Sequence, residues 1–132
     1  MILIDTSIWI DFLQDKKNAQ TAKLNEILEL KMPFGITGQI YQEVLQGASS
    51  EKDFNTLKEY FETFRIYAPS HEKNSYSKAA EIFFLCQRKG ITIRSSADCL
   101  IAQIAREHGL KVFHNDKDFD NIAKIIKDLE IF

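Results

Sequence analysis

The chain has 132 residues, with 17 Lys and Arg against 19 Asp and Glu, a formal net charge of −2. Hydrophobic residues make up 45% of the chain, which is enough to close a core and argues against intrinsic disorder. No apolar run is long enough to span a membrane, the first residues lack the basic start of a signal peptide, and two cysteines are too few for a disulfide framework. We therefore expect a single domain over residues 1–132 in a reducing, cytoplasmic setting.

The first half of the chain alternates short aliphatic runs with helical patterns. Ile2-Leu3-Ile4 is an unbroken aliphatic run, which is typical of a parallel strand that is buried on both faces. Four more elements are predicted before residue 48, namely a helix capped by Thr6 or Ser7, a helix ending near Lys31, a strand over Phe34–Thr37 and a helix from about Gly38 to Gln46.

The second half continues this alternation. The predicted elements are a helix with an aromatic stripe between Phe54 and Phe64, a short strand near Ile66–Ala68, a long helix ended by Gly90, an extended piece over Ile91–Ile93, a helix capped by Ser95 or Ser96, a strand over Lys111–His114, a helix from about Asp118 to Ile126 and a terminal strand near Leu129–Phe132. This order predicts an α/β fold, a three-layer sandwich whose mostly parallel sheet of four to five strands carries helices on both faces.

Three aspartates occupy unusual positions in this pattern. Asp5 directly follows the first strand, and Asp116 follows the strand that begins at Lys111. Ligands of open α/β sheets bind at the carboxyl ends of the strands, although Asp is also a frequent helix cap. Asp98 lies between Ile101 and Ala102 on the apolar stripe of its helix, where an ionised carboxylate needs a positive or donating partner unless it caps its own first turn.

Glu43 lies beside the apolar side of its helix, at the border set by Ile40, and is either an exposed boundary residue or an acid that leans toward the same edge of the sheet. Carboxylates packed closely cannot all stay ionised without a cation. Oxygen ligands without His or Cys select a hard ion, so we expect Mg²⁺ or Mn²⁺ rather than Zn²⁺. Such a cluster is suited to metal-assisted hydrolysis of phosphodiesters.

Four segments, in order, resemble the motifs of PIN domains, and the likeness runs essentially from end to end of the chain. They are Ile4-Asp5-Thr6-Ser7, Glu43, Ser96-Ala97-Asp98-Cys99-Leu100-Ile101-Ala102 and Asn115-Asp116-Lys117-Asp118-Phe119. The size and motif order resemble the VapC-type toxins of bacterial and archaeal toxin–antitoxin pairs. The resemblance implies a Mg²⁺- or Mn²⁺-dependent endoribonuclease that cuts structured RNA such as tRNA or ribosomal RNA. It also implies a homodimer that is inhibited by a VapB-type antitoxin, whose C-terminal segment covers the active site.

The resemblance further assigns roles to individual acids. Asp5, Glu43, Asp98 and Asp116 match the acidic quartet that binds the metal and performs catalysis, and Asp118 matches a frequent auxiliary acid. No acid of the quartet is missing.

Other residues near these motifs are weaker candidates. Thr6 and Ser96 are expected to hydrogen-bond to carboxylates or to metal-bound water, and Arg94 and Lys117 either contact the RNA phosphates or are solvated surface charges. The three histidines are expected to be structural, with the role of His114 left open. Aromatic side chains recur at core spacing, and the two that we expect to stay exposed for the antitoxin are Trp9 and Phe12.

Two other functions remain open from the sequence. A receiver-like phosphoacceptor domain also gathers acids around Mg²⁺, but it requires adjacent acids after the first strand, where this chain has Thr6-Ser7 after Asp5. A non-catalytic, RNA-binding PIN scaffold would usually have lost one acid. Autophosphorylation by a small phosphodonor would support the receiver, and metal-dependent RNA cleavage would support the nuclease.

Overall fold

The structure, a computed structural model, describes all residues from 1 to 132 and contains five strands and seven helices. In chain order they are β1 (Ile2–Ile4), α1 (Thr6–Leu13), α2 (Ala19–Glu29), β2 (Phe34–Thr37), α3 (Gly38–Gln46), α4 (Glu51–Phe61), β3 (Arg65–Tyr67), α5 (Glu72–Arg88), α6 (Ser96–His108), β4 (Lys111–Phe113), α7 (Lys117–Ile125) and β5 (Glu130–Ile131). None of the helices has both the length and the apolarity that a membrane crossing needs.

The five strands form one sheet in the order β3-β2-β1-β4-β5, and every neighbouring pair is parallel. The central strand β1 pairs Ile4 with Phe113 of β4, so the chain leaves both strands at the same level. We call the side of the sheet where all five strands end the carboxyl edge. The predicted α/β sheet is confirmed, and it is wholly rather than mostly parallel.

The helices divide into two packed groups. Helix α1 contacts α2 and α3, and α3 contacts α4, whereas α5, α6 and α7 contact one another. Strands β1, β2 and β3 follow one another outward, and the chain then returns to β4 on the other side of β1. Since parallel crossovers are right-handed, this reversal of direction places the two groups on opposite faces of the sheet.

Trp9 lies in the core rather than on the surface. Its side chain is fully buried, and its ring centroid is 4.9 Å from that of Phe61 and 5.3 Å from that of Phe64. Phe34 of β2 covers another side of the indole, at 5.9 Å. The expectation that Trp9 stays exposed for a partner is therefore wrong, because aromatic rings from distant segments enclose it. Phe12 is half-buried, with its ring edge-on to Trp9.

The extended piece predicted over Ile91–Ile93 is not a strand. The Ile91 N–H donates to the carbonyl of Cys86 and closes the end of α5, after Gly90 has turned the chain with a φ of +74°. The Arg94 N–H donates to the carboxylate of Asp118. The N–H groups of the first residue of this segment and of the residue that follows it are thus engaged outside the sheet, although Ile93 itself is buried.

Candidate active site

Asp5 is held at the carboxyl edge by the helix that follows it. It is 4% exposed, and its Oδ2 accepts hydrogen bonds from the backbone N–H of Ser7 at 3.0 Å and from the Ser7 hydroxyl at 2.7 Å. Asp5, rather than Thr6 or Ser7, is therefore the cap of α1. Burial raises the pKa of Asp5, and the two Ser7 hydrogen bonds oppose that shift.

Asp116 and Asp118 are joined by the cap of α7. Asp116 Oδ1 accepts the backbone N–H of Asp118 at 2.9 Å, and Asp118 is 2% exposed. Arg94 contacts both carboxylates, with its Nη2 3.2 Å from Asp116 Oδ1 and its Nε 3.6 Å from Asp118 Oδ1. Because the Arg94 side chain is 71% exposed, its guanidinium can leave these acids at little cost.

Asp98 is the least satisfied of the acids. It lies in the first turn of α6, is 7% exposed, and its buried Oδ2 has no hydrogen-bond partner. Burial, followed by repulsion from Asp5 and Asp116, raises the pKa of Asp98 to about 8. A carboxylate in this position favours either a bound proton or a bound cation.

The aspartates converge at the carboxyl edge. Ligand oxygens of Asp98, Asp116 and Asp118 all lie within 4.8 Å of one another, and Asp5 is close enough to raise the pKa of Asp98. The donor set is entirely carboxylate, and it includes one buried oxygen that lacks a partner. These residues fit a hard divalent cation such as Mg²⁺ or Mn²⁺ better than Zn²⁺.

Glu43 is not among the residues whose ligand oxygens lie within 4.8 Å of one another. Its side chain is exposed on α3, and no hydrogen bond or ion pair joins it to an aspartate. Lys117 is also exposed, at the first position of α7, without an ion pair. The structure thus brings together Asp5, Asp98 and Asp116 from the predicted quartet, and it adds the auxiliary Asp118.

Ser7 is the residue at this site that sequence reasoning missed. Its hydroxyl donates to Asp5 and also accepts the backbone N–H of Asn115 at 2.9 Å, so it ties the end of β1 to the segment after β4. The Thr6 hydroxyl is buried without a partner, and Ser96 makes no hydrogen bond to a carboxylate. A contact from Thr6 or Ser96 to metal-bound water stays a prediction. The sequence feature that indicates this role of Ser7 is a hydroxyl residue two positions after an Asp that caps a helix.

The chain is similar to known proteins over most of its length. The model of the PIN domain family matches residues 2–125. A VapC ribonuclease of Mycobacterium bovis is 33% identical over 129 residues, which cover 95% of this chain and 93% of that protein. The chain belongs to the PIN domain family. Its resemblance to VapC ribonucleases, expected from four short motifs, is therefore confirmed over nearly the whole length.

Solved structures agree on the PIN fold. A toxin–antitoxin complex from Klebsiella pneumoniae has a chain that superposes with a TM-score of 0.68 at 22% identity, covering 99% of this chain and 100% of that one. VapBC2 from Rickettsia felis, bound to a DNA fragment from its promoter, gives a TM-score of 0.72 at 18% identity over 100% of this chain and 98% of that one. Membership of the PIN family excludes the receiver-like alternative.

An apolar cavity of about 540 Å³ lies beside the PIN site without including its acids. It opens between α5 and α6, and its lining includes Tyr76, Phe83 and Leu100 but no charged side chain. This cavity therefore offers no carboxylate or basic group of its own, and the acidic groups near it are the aspartates at the carboxyl edge.

Proposed function

We propose that the chain is the toxin of a type II toxin–antitoxin pair and acts as a Mg²⁺- or Mn²⁺-dependent endoribonuclease on structured RNA of the tRNA or ribosomal class. The observation that carries this proposal is the convergence of Asp98, Asp116 and Asp118, next to Asp5, with one carboxylate oxygen left unpartnered. The kinship to proteins named VapC ribonucleases supports RNA as the substrate.

The aspartates would hold the cation. Asp98, Asp116 and Asp118 present oxygens close enough together to share one ion, and Asp5 would bind it directly or through water. A bound Mg²⁺ or Mn²⁺ supplies an activated water and neutralises charge on the scissile phosphate. Glu43, exposed on α3, would bind a second ion or orient the attacking water.

Two basic side chains beside the acids, those of Arg94 and Lys117, would bind phosphates of the RNA backbone. The Arg94 guanidinium contacts Asp116 and Asp118 at a largely exposed position, from which it would also contact a backbone phosphate. Lys117 is exposed next to Asp116 and unpaired. Lys and Arg side chains neutralise backbone phosphates, and these two lie next to a centre that is otherwise negative.

A VapB-type antitoxin would inhibit the enzyme by laying its C-terminal segment over the site, and the toxin would act as a homodimer. Ile10 and Leu13, both about 40% exposed on α1, line a shallow cleft with Leu57 of α4, and the half-buried Phe12 belongs to the same helix. Since Trp9 is buried, Phe12 and these neighbours replace it as the proposed antitoxin surface. The chains named in the structural comparison come from toxin–antitoxin complexes, which supports such a partner.

We also propose that residues 1–132 act as one domain in the cytoplasm. One core cluster of 28 buried hydrophobic residues runs from Ile2 to Leu129. Cys86 and Cys99 are buried and unpaired, which suits a reducing compartment.

The decisive experiment measures cleavage of a labelled, structured RNA by the purified protein with Mg²⁺ or Mn²⁺ and with EDTA. We expect cleavage only with metal, and a loss of about 100-fold in Asp98→Asn. Asp128→Asn is the matched control, because Asp128 is 68% exposed and pairs with Arg106 away from the site. Cleavage in EDTA, or equal activity of the two variants, would contradict the proposal.

The class of RNA can be read in cells. Sequencing of RNA ends after brief induction, with the Asp98→Asn variant as background, should reveal new ends in tRNA or ribosomal RNA. New ends confined to messenger RNA would refute the substrate class and leave the nuclease assignment intact.

A further inference from the structure

His114 lies in the chain between the end of strand β4 and the acidic residue Asp116. It directly follows β4, its side chain is 6% exposed, and its ring lies 5.1 Å from the ring of Phe119. The backbone N–H of Asp116 donates to His114 Nδ1 at 3.0 Å, which assigns the lone pair to Nδ1. Nε2 lies 3.3 Å from Asp120 Oδ1, where a ring N–H finds an acceptor.

Three successive residues of this turn are held by hydrogen bonds, two of them to distant segments and one within the turn. Gln20 Nε2 donates to the carbonyl of His114 at 3.0 Å, and the Asn115 N–H donates to the Ser7 hydroxyl. The Asp116 N–H has only the imidazole of His114 as its partner. The first two contacts position the turn as a whole, whereas the third determines the orientation of the residue that carries the carboxylate.

We propose that His114 is a positioning residue for Asp116, in which an unprotonated Nδ1 holds the Asp116 backbone N–H and thereby directs its carboxylate toward Asp98 and Asp118. The proposal rests on the metal site proposed above, since it assigns a support to one of its ligands. Partners that orient metal ligands are as much a part of such sites as the ligands themselves, and their loss typically weakens metal binding by about 10- to 100-fold.

Two substitutions distinguish a His114 that positions Asp116 from a His114 that only packs against its neighbours. In His114→Asn the side-chain oxygen occupies nearly the position of Nδ1 and can still accept the Asp116 N–H. In His114→Gln the amide lies one bond farther along, near the position of Nε2, and reaches toward Asp120 instead. Both variants are polar and smaller than histidine, so a merely structural role would affect them alike.

The experiment uses the full chain and two measurements on wild type, both His114 variants and Asp116→Asn. Mn²⁺ affinity is obtained by titration with detection of the free ion by electron paramagnetic resonance. Exchange of the Asp116 amide proton, followed by NMR in metal-free protein, reports the hydrogen bond itself. Thermal unfolding confirms that each variant is folded.

We expect His114→Asn to bind Mn²⁺ within about threefold of wild type and to keep the Asp116 amide protected, whereas His114→Gln binds about tenfold more weakly and loses protection. Equal Mn²⁺ affinities and equal protection in the two His114 variants would overturn the proposal. Equal Mn²⁺ binding by wild type and Asp116→Asn would instead overturn the metal site itself, which distinguishes the two failures.

Discussion

Two regions of the molecule share helix α1 but respond to burial in opposite ways. They are the aromatic cluster (Trp9, Phe34, Phe61 and Phe64) and the acidic site (Asp5, Asp98, Asp116 and Asp118). Asp5 caps α1, and Trp9 lies one turn farther along it. Removal of water from the aromatic rings stabilises the fold, by about 1.5–3 kcal/mol for each large apolar side chain that is fully buried. Removal of water from carboxylates that repel one another opposes folding.

The difference shows how the fold can maintain an unfavourable arrangement. The four aspartates come from the ends of β1 and β4 and from the start of α6 and α7, and each of these elements is anchored by apolar residues of the same core. Burial of the core residues stabilises the fold, and part of this free energy offsets the repulsion among the aspartates at the carboxyl edge. Substitutions in the two regions should therefore change stability with opposite signs.

The largest expected effect on stability is at the aromatic cluster. Trp9→Ala removes a fully buried indole that lies against four other aromatic rings, and should lower the free energy of unfolding by about 3–5 kcal/mol. Trp9→Phe should cost less, about 1–2 kcal/mol, because the indole N–H has no hydrogen-bond partner to lose. Urea unfolding measures both. A loss below about 1 kcal/mol in Trp9→Ala would show that the ring is not part of a packed core.

An effect of the opposite sign is expected at Asp98. Its pKa rises from 3.8 to about 8 on folding, so between these values the folded state holds a proton that the unfolded state has released. The metal-free protein should therefore lose stability as pH rises from about 4 to about 8. Asp98→Asn should remove most of this slope and be the more stable protein at pH 8.

Urea unfolding in EDTA at several pH values tests this expectation. The comparison of wild type with Asp98→Asn cancels the titration of groups that the two proteins share. Stability of the wild type that rises with pH more steeply than that of Asp98→Asn would contradict a buried, repelled carboxylate.

The smallest effect on stability is expected at Arg94, although its effect on function should be clear. Its guanidinium is 71% exposed, so Arg94→Ala should change the free energy of unfolding by no more than about 0.5 kcal/mol. The backbone N–H to Asp118 is retained in this variant. If the side chain binds an RNA phosphate, KM should rise several-fold and depend less on salt, while Arg94→Lys keeps the salt dependence. An unchanged KM in Arg94→Ala would leave Arg94 as a surface charge.

Local patterns predicted much of the fold. The bounds of β1, β2 and α3 agree with the sequence-based expectations, because an aliphatic run, a following cap and a periodic stripe are all encoded by residues close together in the chain. The extended piece over Ile91–Ile93 was wrong because its apolar residues suit a strand but its flanking donors are used elsewhere. Propensity does not reveal whether a strand has a neighbour to pair with.

The sequence by itself determined the type of fold, the family and the acids worth following, since each depends on residue identity and short spacing. Only the tertiary structure decided that Trp9 is enclosed, that Asp118 joins Asp98 and Asp116 while Glu43 stays outside, and that Ser7 and His114 support the turn before α7. Ser7 and Asn115, for example, are 108 residues apart and meet because β1 and β4 are adjacent parallel strands. A hydrogen bond of this kind depends on the packing of the whole chain, and no local pattern encodes it.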